Sequence, residues 1–148
     1  MNAQLSYREM AVRGASPVRL VVLLYEQLIE DLRRALAAFG QGDIEARTRA
    51  INHALLVLGY LESSLDKAQG GQVALNLERF YSQVRRGLVE AQIRQSANLL
   101  EQQISHLMLL HEAWCEVERS AAAQPGAAPS STQPPADDRP RTARGWNA

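Results

Sequence analysis

Apolar side chains return every three or four positions along most of this chain, the repeat expected of a helix with one buried face. The first series is Val21, Leu24, Leu28, Leu32, Ala35 and Phe39, and it stops at Gly40-Gln41-Gly42. Ser16-Pro17 stands just ahead of it. A serine hydroxyl accepts from the free N–H groups of a first turn, and proline suits the first helical position because its φ is already helical and its missing N–H would have had no partner. A helix therefore starts at Pro17. Asp43 offers the cap for a second helix, whose stripe is Ile44, Ile51, Ala54 or Leu55, Leu58, Leu61 and Leu65, ending before Gly70-Gly71. A third stripe follows through Leu77, Phe80, Tyr81, Val84, Leu88 and Ala91.

Phase rather than a breaker announces the fourth helix. Continued past Ala91, the third stripe lands on Gln95, Asn98 and Gln102, all polar, whereas Ala97, Leu100, Ile104, Leu107, His111 and Trp114 form a stripe on another face. This predicts a break near Gln95 with Ser96 as cap; the alternative is a single helix from Gln72 to Arg119. Neither strand-like alternation nor an Asn-Gly hairpin signal competes. The pattern predicts an all-α protein, an antiparallel up-down-up-down four-helix bundle with helices about 35 Å long. Residues 1–15 read as an N-terminal arm, 16–120 as the bundle and 121–148 as a disordered tail. Five of the six prolines lie after position 124, in a stretch of Ala, Ser, Gly and Pro with too little apolar surface to offset chain ordering. Trp146 is that stretch's single large apolar group, either a docking anchor or incidental.

Two segments carry more apolar surface than one stripe requires. Leu20-Val21-Val22-Leu23-Leu24-Tyr25 is apolar all round its axis, and so is Ala54-Leu55-Leu56-Val57-Leu58-Gly59-Tyr60-Leu61. Such a helix must be covered on every side. An antiparallel pairing about the Gly40-Gly42 turn brings both to similar heights. One reading is a crowded core covered by the arm residues Leu5, Tyr7, Met10 and Val12; the other is a groove for an apolar peptide or helix, with the arm as a displaceable lid. Val22, Tyr25, Leu56 and Tyr60 are the candidate lining residues, and helical phase turns Tyr25, Leu56 and Tyr60 away from the bundle centre.

Composition narrows the chemistry. Sixteen basic and sixteen acidic residues cancel, so no global field draws the chain to nucleic acid or anionic membrane. The most apolar windows fall short of the roughly 18 residues of a membrane span, and the start, MNAQLSYREM, is unlike a signal peptide, so the expected place is the cytoplasm. One cysteine, Cys115, forms no intrachain disulfide. No Glu precedes a His by three positions, and His106 and His111 are five apart on different faces, so neither pattern makes a metal site. His53 could act in a histidine phosphotransfer bundle, but apolar Leu56-Val57 stand where that chemistry places lysine and glycine. Arg33-Arg34 and Arg85-Arg86 are short pairs on mixed faces, and no glycine-rich phosphate loop exists. No cofactor, metal or catalysis is expected.

An ordered set of small motifs resembles the flagellar secretion chaperone FliS family. These are Ala15-Ser16-Pro17, Leu20 and Leu24-Tyr25, then Gly42-Asp43, Asn76-Leu77 with Phe80-Tyr81, Leu88-Val89-Glu90-Ala91 and Ala113-Trp114, with Tyr7 in the arm. The resemblance covers roughly residues 5–119. Gln92 departs from the asparagine usual in that family, and the proline-rich tail has no counterpart. The resemblance implies a helical bundle, a monomer or weak homodimer, that binds the C-terminal segment of new flagellin in the cytoplasm. It implies that premature polymerisation is prevented and flagellin delivered to the type III export gate, and it gives Tyr7, with Leu5, a part in covering the groove and in flagellin binding. A chaperone for another type III substrate is the alternative within this class, and a phosphotransfer bundle acting through His53 the alternative outside it.

Overall fold

The computed structural model describes residues 16–123, which form four helices. Helix α1 spans Pro17–Gln41, α2 Ile44–Ser63, α3 Lys67–Arg94 and α4 Ala97–Ala123. Ser16 Oγ accepts from Arg19 N at 3.0 Å to open α1. Gly42 closes it at φ 69°, ψ 20°, a left-handed geometry natural to glycine, and its N–H reaches Phe39 O at 3.2 Å. Asp43 then accepts from Ala46 N at 3.0 Å, so α2 follows with almost no connection.

The second turn differs from the expectation. Helix α2 ends at Ser63, not just before Gly70-Gly71, because Ser64 Oγ takes the Leu61 carbonyl at 2.8 Å and Asp66 opens α3 by accepting from Gln69 N at 3.1 Å. The glycines do mark a change of direction: Gly71 adopts φ 57°, ψ −135°, breaking the helical path inside α3. Ile44, expected on the buried stripe, is 62% exposed, because it sits at the first turn of α2 beyond its neighbours' reach. The predicted break near Gln95 is present. Gln95 takes φ 53°, ψ 50°, and Ser96 Oγ accepts from Leu99 N at 3.2 Å. Helix α4 runs to Ala123, three residues past the expected boundary of the bundle, through alanines that favour helix.

Cross-helix contacts give the directions. Asp31 of α1 meets His53 of α2, and Arg85 of α3 meets Glu62 of α2, each pair straddling a short turn. Across α1 and α4, Glu26 meets His111 and Arg33 meets Met108, so one number rises as the other falls. Between α3 and α4, a Cβ at Gly87 would lie 2.4 Å from Nε2 of Gln103; glycine lets that buried amide fill the space beside the α3 backbone. These pairings are those of antiparallel neighbours. The core they enclose includes Leu28, Leu32, Ile51, Leu58, Leu61, Val84, Leu88, Leu100 and Leu107, all fully buried.

Candidate functional site

Residues Leu23, Gln27, Glu30, Arg34, Ala37 and Gln41 recur at spacings of four and three along α1, and Ala46, Arg49 and His53 do so along α2. They line an open groove of about 930 Å³ between the two helices. Ala37, Ala38, Ala46 and Ala50 keep the end near the Gly42 turn shallow-walled, since a methyl group cannot fill the space a longer side chain would.

Midway along, the groove rests on a buried carboxylate. Asp31 is 1% exposed and accepts from Gln27 Nε2 at 2.9 Å and from Arg34 at 3.2 Å, and its other oxygen lies 2.6 Å from His53 Nδ1. Burial pushes the Asp31 carboxyl above its ordinary range, opposed by the hydrogen bonds of His53 and Gln27. The network joins α1 to α2 and sets the polar character of the groove at this level. His53 is thus engaged with a carboxylate from another helix rather than standing alone on its own.

Following each wall away from the turn, the chemistry changes. On α2 the face of Arg49 and His53 continues at spacings of three and four to Leu56, 45% exposed, and Tyr60, half-buried. On α1 the face of Leu23 leads back to half-buried Leu20. Of the sequence-predicted residues, Leu56 and Tyr60 therefore share the helix face of Arg49 and His53, beyond the groove's own lining. The structure does not bring Val22 or Tyr25 there. Both are fully buried, and Tyr25, expected to turn away from the centre, donates its hydroxyl to Tyr81 at 3.0 Å while its ring lies 6.5 Å from that of Trp114. The reason is the number of neighbours: α1 contacts α2, α3 and α4, so it buries more than one stripe. Leu5 and Tyr7 lie outside the described residues.

Sequence reasoning missed Leu23, hidden in an all-apolar run, and a second set of exposed apolar side chains. Leu75, Val89 and Ile93 on α3 are 40%, 43% and 76% exposed, and Met108 and Leu109 on α4 are 46% and 67% exposed. Their signal was available, because each is an apolar residue off the phase of its helix's stripe.

The sequence profile of the family described as "Flagellar protein FliS" matches residues 1–121. The chain belongs to the FliS family. It is 33% identical over 117 residues to the flagellar secretion chaperone FliS of Salmonella typhimurium, covering 78% of this chain and 87% of that protein. Flagellar secretion chaperone FliSB of Pseudomonas aeruginosa is 30% identical over 118 residues, 77% of this chain and 94% of its own length. The FliS of Campylobacter jejuni is 30% identical over 105 residues, 71% of this chain and 82% of its own. Residues 1–15, the first three helices, the groove and α4 up to its last two residues lie within the matched span, while the proline-rich segment after position 124 lies outside it. Among the described residues, no helix of this FliS-family chain is long and apolar enough to cross a membrane.

Proposed function

We propose that this chain is a flagellar export chaperone that holds the C-terminal segment of flagellin in the cytoplasm, prevents its premature polymerisation and hands it to the type III export gate, without catalysis. Membership of the FliS family supports the export role. The observation that carries the binding mode is the graded groove between α1 and α2. It is polar around Asp31 and His53, and the helix faces that form its walls carry on, beyond its lining, to the apolar side chains Leu20, Leu56 and Tyr60. An amphipathic segment that cannot fold alone would gain apolar burial at one end and hydrogen bonds at the other. Leu5 and Tyr7 serve as a lid over these apolar side chains, displaced when the segment enters. Exposed Leu75, Val89, Ile93 and Leu109 offer further surface to a segment long enough to wrap past the groove.

Calorimetric titration of a flagellin C-terminal peptide tests this reading. Leu56→Asp places a charge where the peptide's apolar side would remove it from water, a loss of at least about 2 kcal/mol or roughly thirtyfold in affinity. Because Leu56 is 45% exposed, the free protein tolerates the change. A folded Leu56→Asp protein that binds as tightly as wild type would remove the groove from consideration. Titration with peptides from rod, hook or cap proteins separates the alternative export substrates.

A further inference from the structure

Four buried side-chain atoms among the described residues lack a hydrogen-bond partner: Arg47 Nε, Tyr60 Oη, Gln92 Oε1 and Gln103 Oε1. They are not equivalent. The Arg47 guanidinium lies 4.8 Å over the Phe39 ring, which receives its charge. In Gln92 and Gln103 only the oxygen is orphaned, and the amide nitrogen of each is either paired or open to water. The Tyr60 hydroxyl is the whole polar endowment of its side chain, so here the loss is complete. A hydroxyl withdrawn from water with nothing in return is a cost that a fold meets rarely and usually for a reason.

Its position suggests the reason. Tyr60 is one turn beyond exposed Leu56 and two beyond His53, on the helix face that carries the groove residues Arg49 and His53. The residue as a whole is only half-buried while its tip is shut off, so part of the side chain meets solvent on the face it shares with Leu56 and the hydroxyl has to turn outward to meet a segment lying there. A segment arriving without structure brings unpaired main-chain carbonyls, and a phenol is a good donor to them. Leu23 and Leu56 cannot answer such a carbonyl.

We infer that the Tyr60 hydroxyl is a hook for the docked segment's backbone, unpaired in the free protein and donating to a main-chain carbonyl once the segment runs from the groove along the face of Leu56. This rests on the groove being the substrate site. It adds a contact that reads backbone rather than side chains, which lets one chaperone hold segments whose sequences vary at that place. It also makes the free state the less satisfied one, so docking restores a hydrogen bond rather than merely exchanging one.

The test compares wild type, Tyr60→Phe and Leu56→Asp by calorimetric titration with a flagellin C-terminal peptide and by thermal melting of the free proteins. Phenylalanine keeps the ring and removes only the orphan. Tyr60→Phe is expected to melt at or above wild type and to bind about tenfold more weakly, which corresponds to about 1.4 kcal/mol. Equal affinity of Tyr60→Phe and wild type, with Leu56→Asp weakened, overturns the hook and leaves the groove standing. A Tyr60→Phe protein that melts clearly below wild type shows a hydroxyl already satisfied in the free state and overturns it too. If wild type does not bind the peptide, or Leu56→Asp binds it unchanged, the groove reading fails and the hook with it.

Discussion

Tyr25→Phe removes one oxygen from the centre of the protein and distinguishes a core residue from a binding residue. The Tyr25 and Tyr81 hydroxyls are 3.0 Å apart, with the side chains 0% and 1% exposed, and their rings are 6.3 Å apart at 57°. Without Tyr25 Oη, the Tyr81 hydroxyl stays buried with no partner in reach of α1, and leaving one buried hydroxyl unpaired costs about 2 kcal/mol. In a domain of this size that lowers Tm by about 8 °C at about 4 °C per kcal/mol. Tyr81→Phe likewise leaves the Tyr25 hydroxyl buried without its partner and should cost about as much. The double variant removes donor and acceptor together, so its loss is smaller than the sum of the two single losses by about 1 kcal/mol or more, the coupling expected of groups in direct contact. Urea unfolding followed by helical circular dichroism yields all four corners of this cycle. Flagellin-peptide affinity stays within about twofold of wild type for folded Tyr25→Phe, since no atom of Tyr25 faces solvent. Additive losses would refute the hydroxyl pairing, and a large fall in affinity without a fall in stability would return Tyr25 to the groove.

The same burial raises both hydroxyls above the ordinary tyrosine value of 10.0. The folded state therefore binds these protons more tightly than the unfolded state, and the stability they support is complete below about pH 10 and lost as pH rises beyond it. Tyrosinate absorbance of Tyr25 and Tyr81 should appear only with unfolding; ionisation of all four tyrosines in a folded protein contradicts their burial. His53→Ala strips Asp31 of its 2.6 Å partner and should cost about 2 to 3 kcal/mol at pH 7. That loss shrinks toward acid pH as Asp31, already raised by burial, takes up a proton, whereas a pH-independent loss would mean the carboxylate was never held as an ion. Gly71→Ala should destabilise by about 1 to 3 kcal/mol because φ 57°, ψ −135° is foreign to a side-chain-bearing residue, while helical Gly40→Ala is neutral or stabilising in the same urea titration. Removing residues 124–148 should leave Tm within about 4 °C of the full chain, as expected of a segment without apolar periodicity.

The helices and most of their ends were legible along the chain because they depend on neighbours in sequence. The Ser16-Pro17 start, the Gly42-Asp43 turn and the Gln95-Ser96 break each rest on a cap within three residues of the groups it satisfies. At the second turn the deciding signal is local too: Asp66 caps α3 through Gln69 N, and the Gly70-Gly71 pair bends that helix from inside rather than preceding it. Family membership was legible for the same reason, as an ordered set of short motifs. The site was not. Where an apolar segment has no polar face, phase is a poor guide to which side is buried: it turns both Tyr25 and Leu56 outward, yet Leu56 of α2 is exposed while Tyr25 is buried by the three neighbours of α1. Tertiary structure alone put Asp31 beside His53, 22 positions away, and opposed Tyr25 to Tyr81, 56 positions away. It alone left one buried hydroxyl among the described residues, on Tyr60, without a partner. Burial and pairing at such distances depend on how many helices surround a given face, and that number is a property of the packed assembly which no local window of side chains contains.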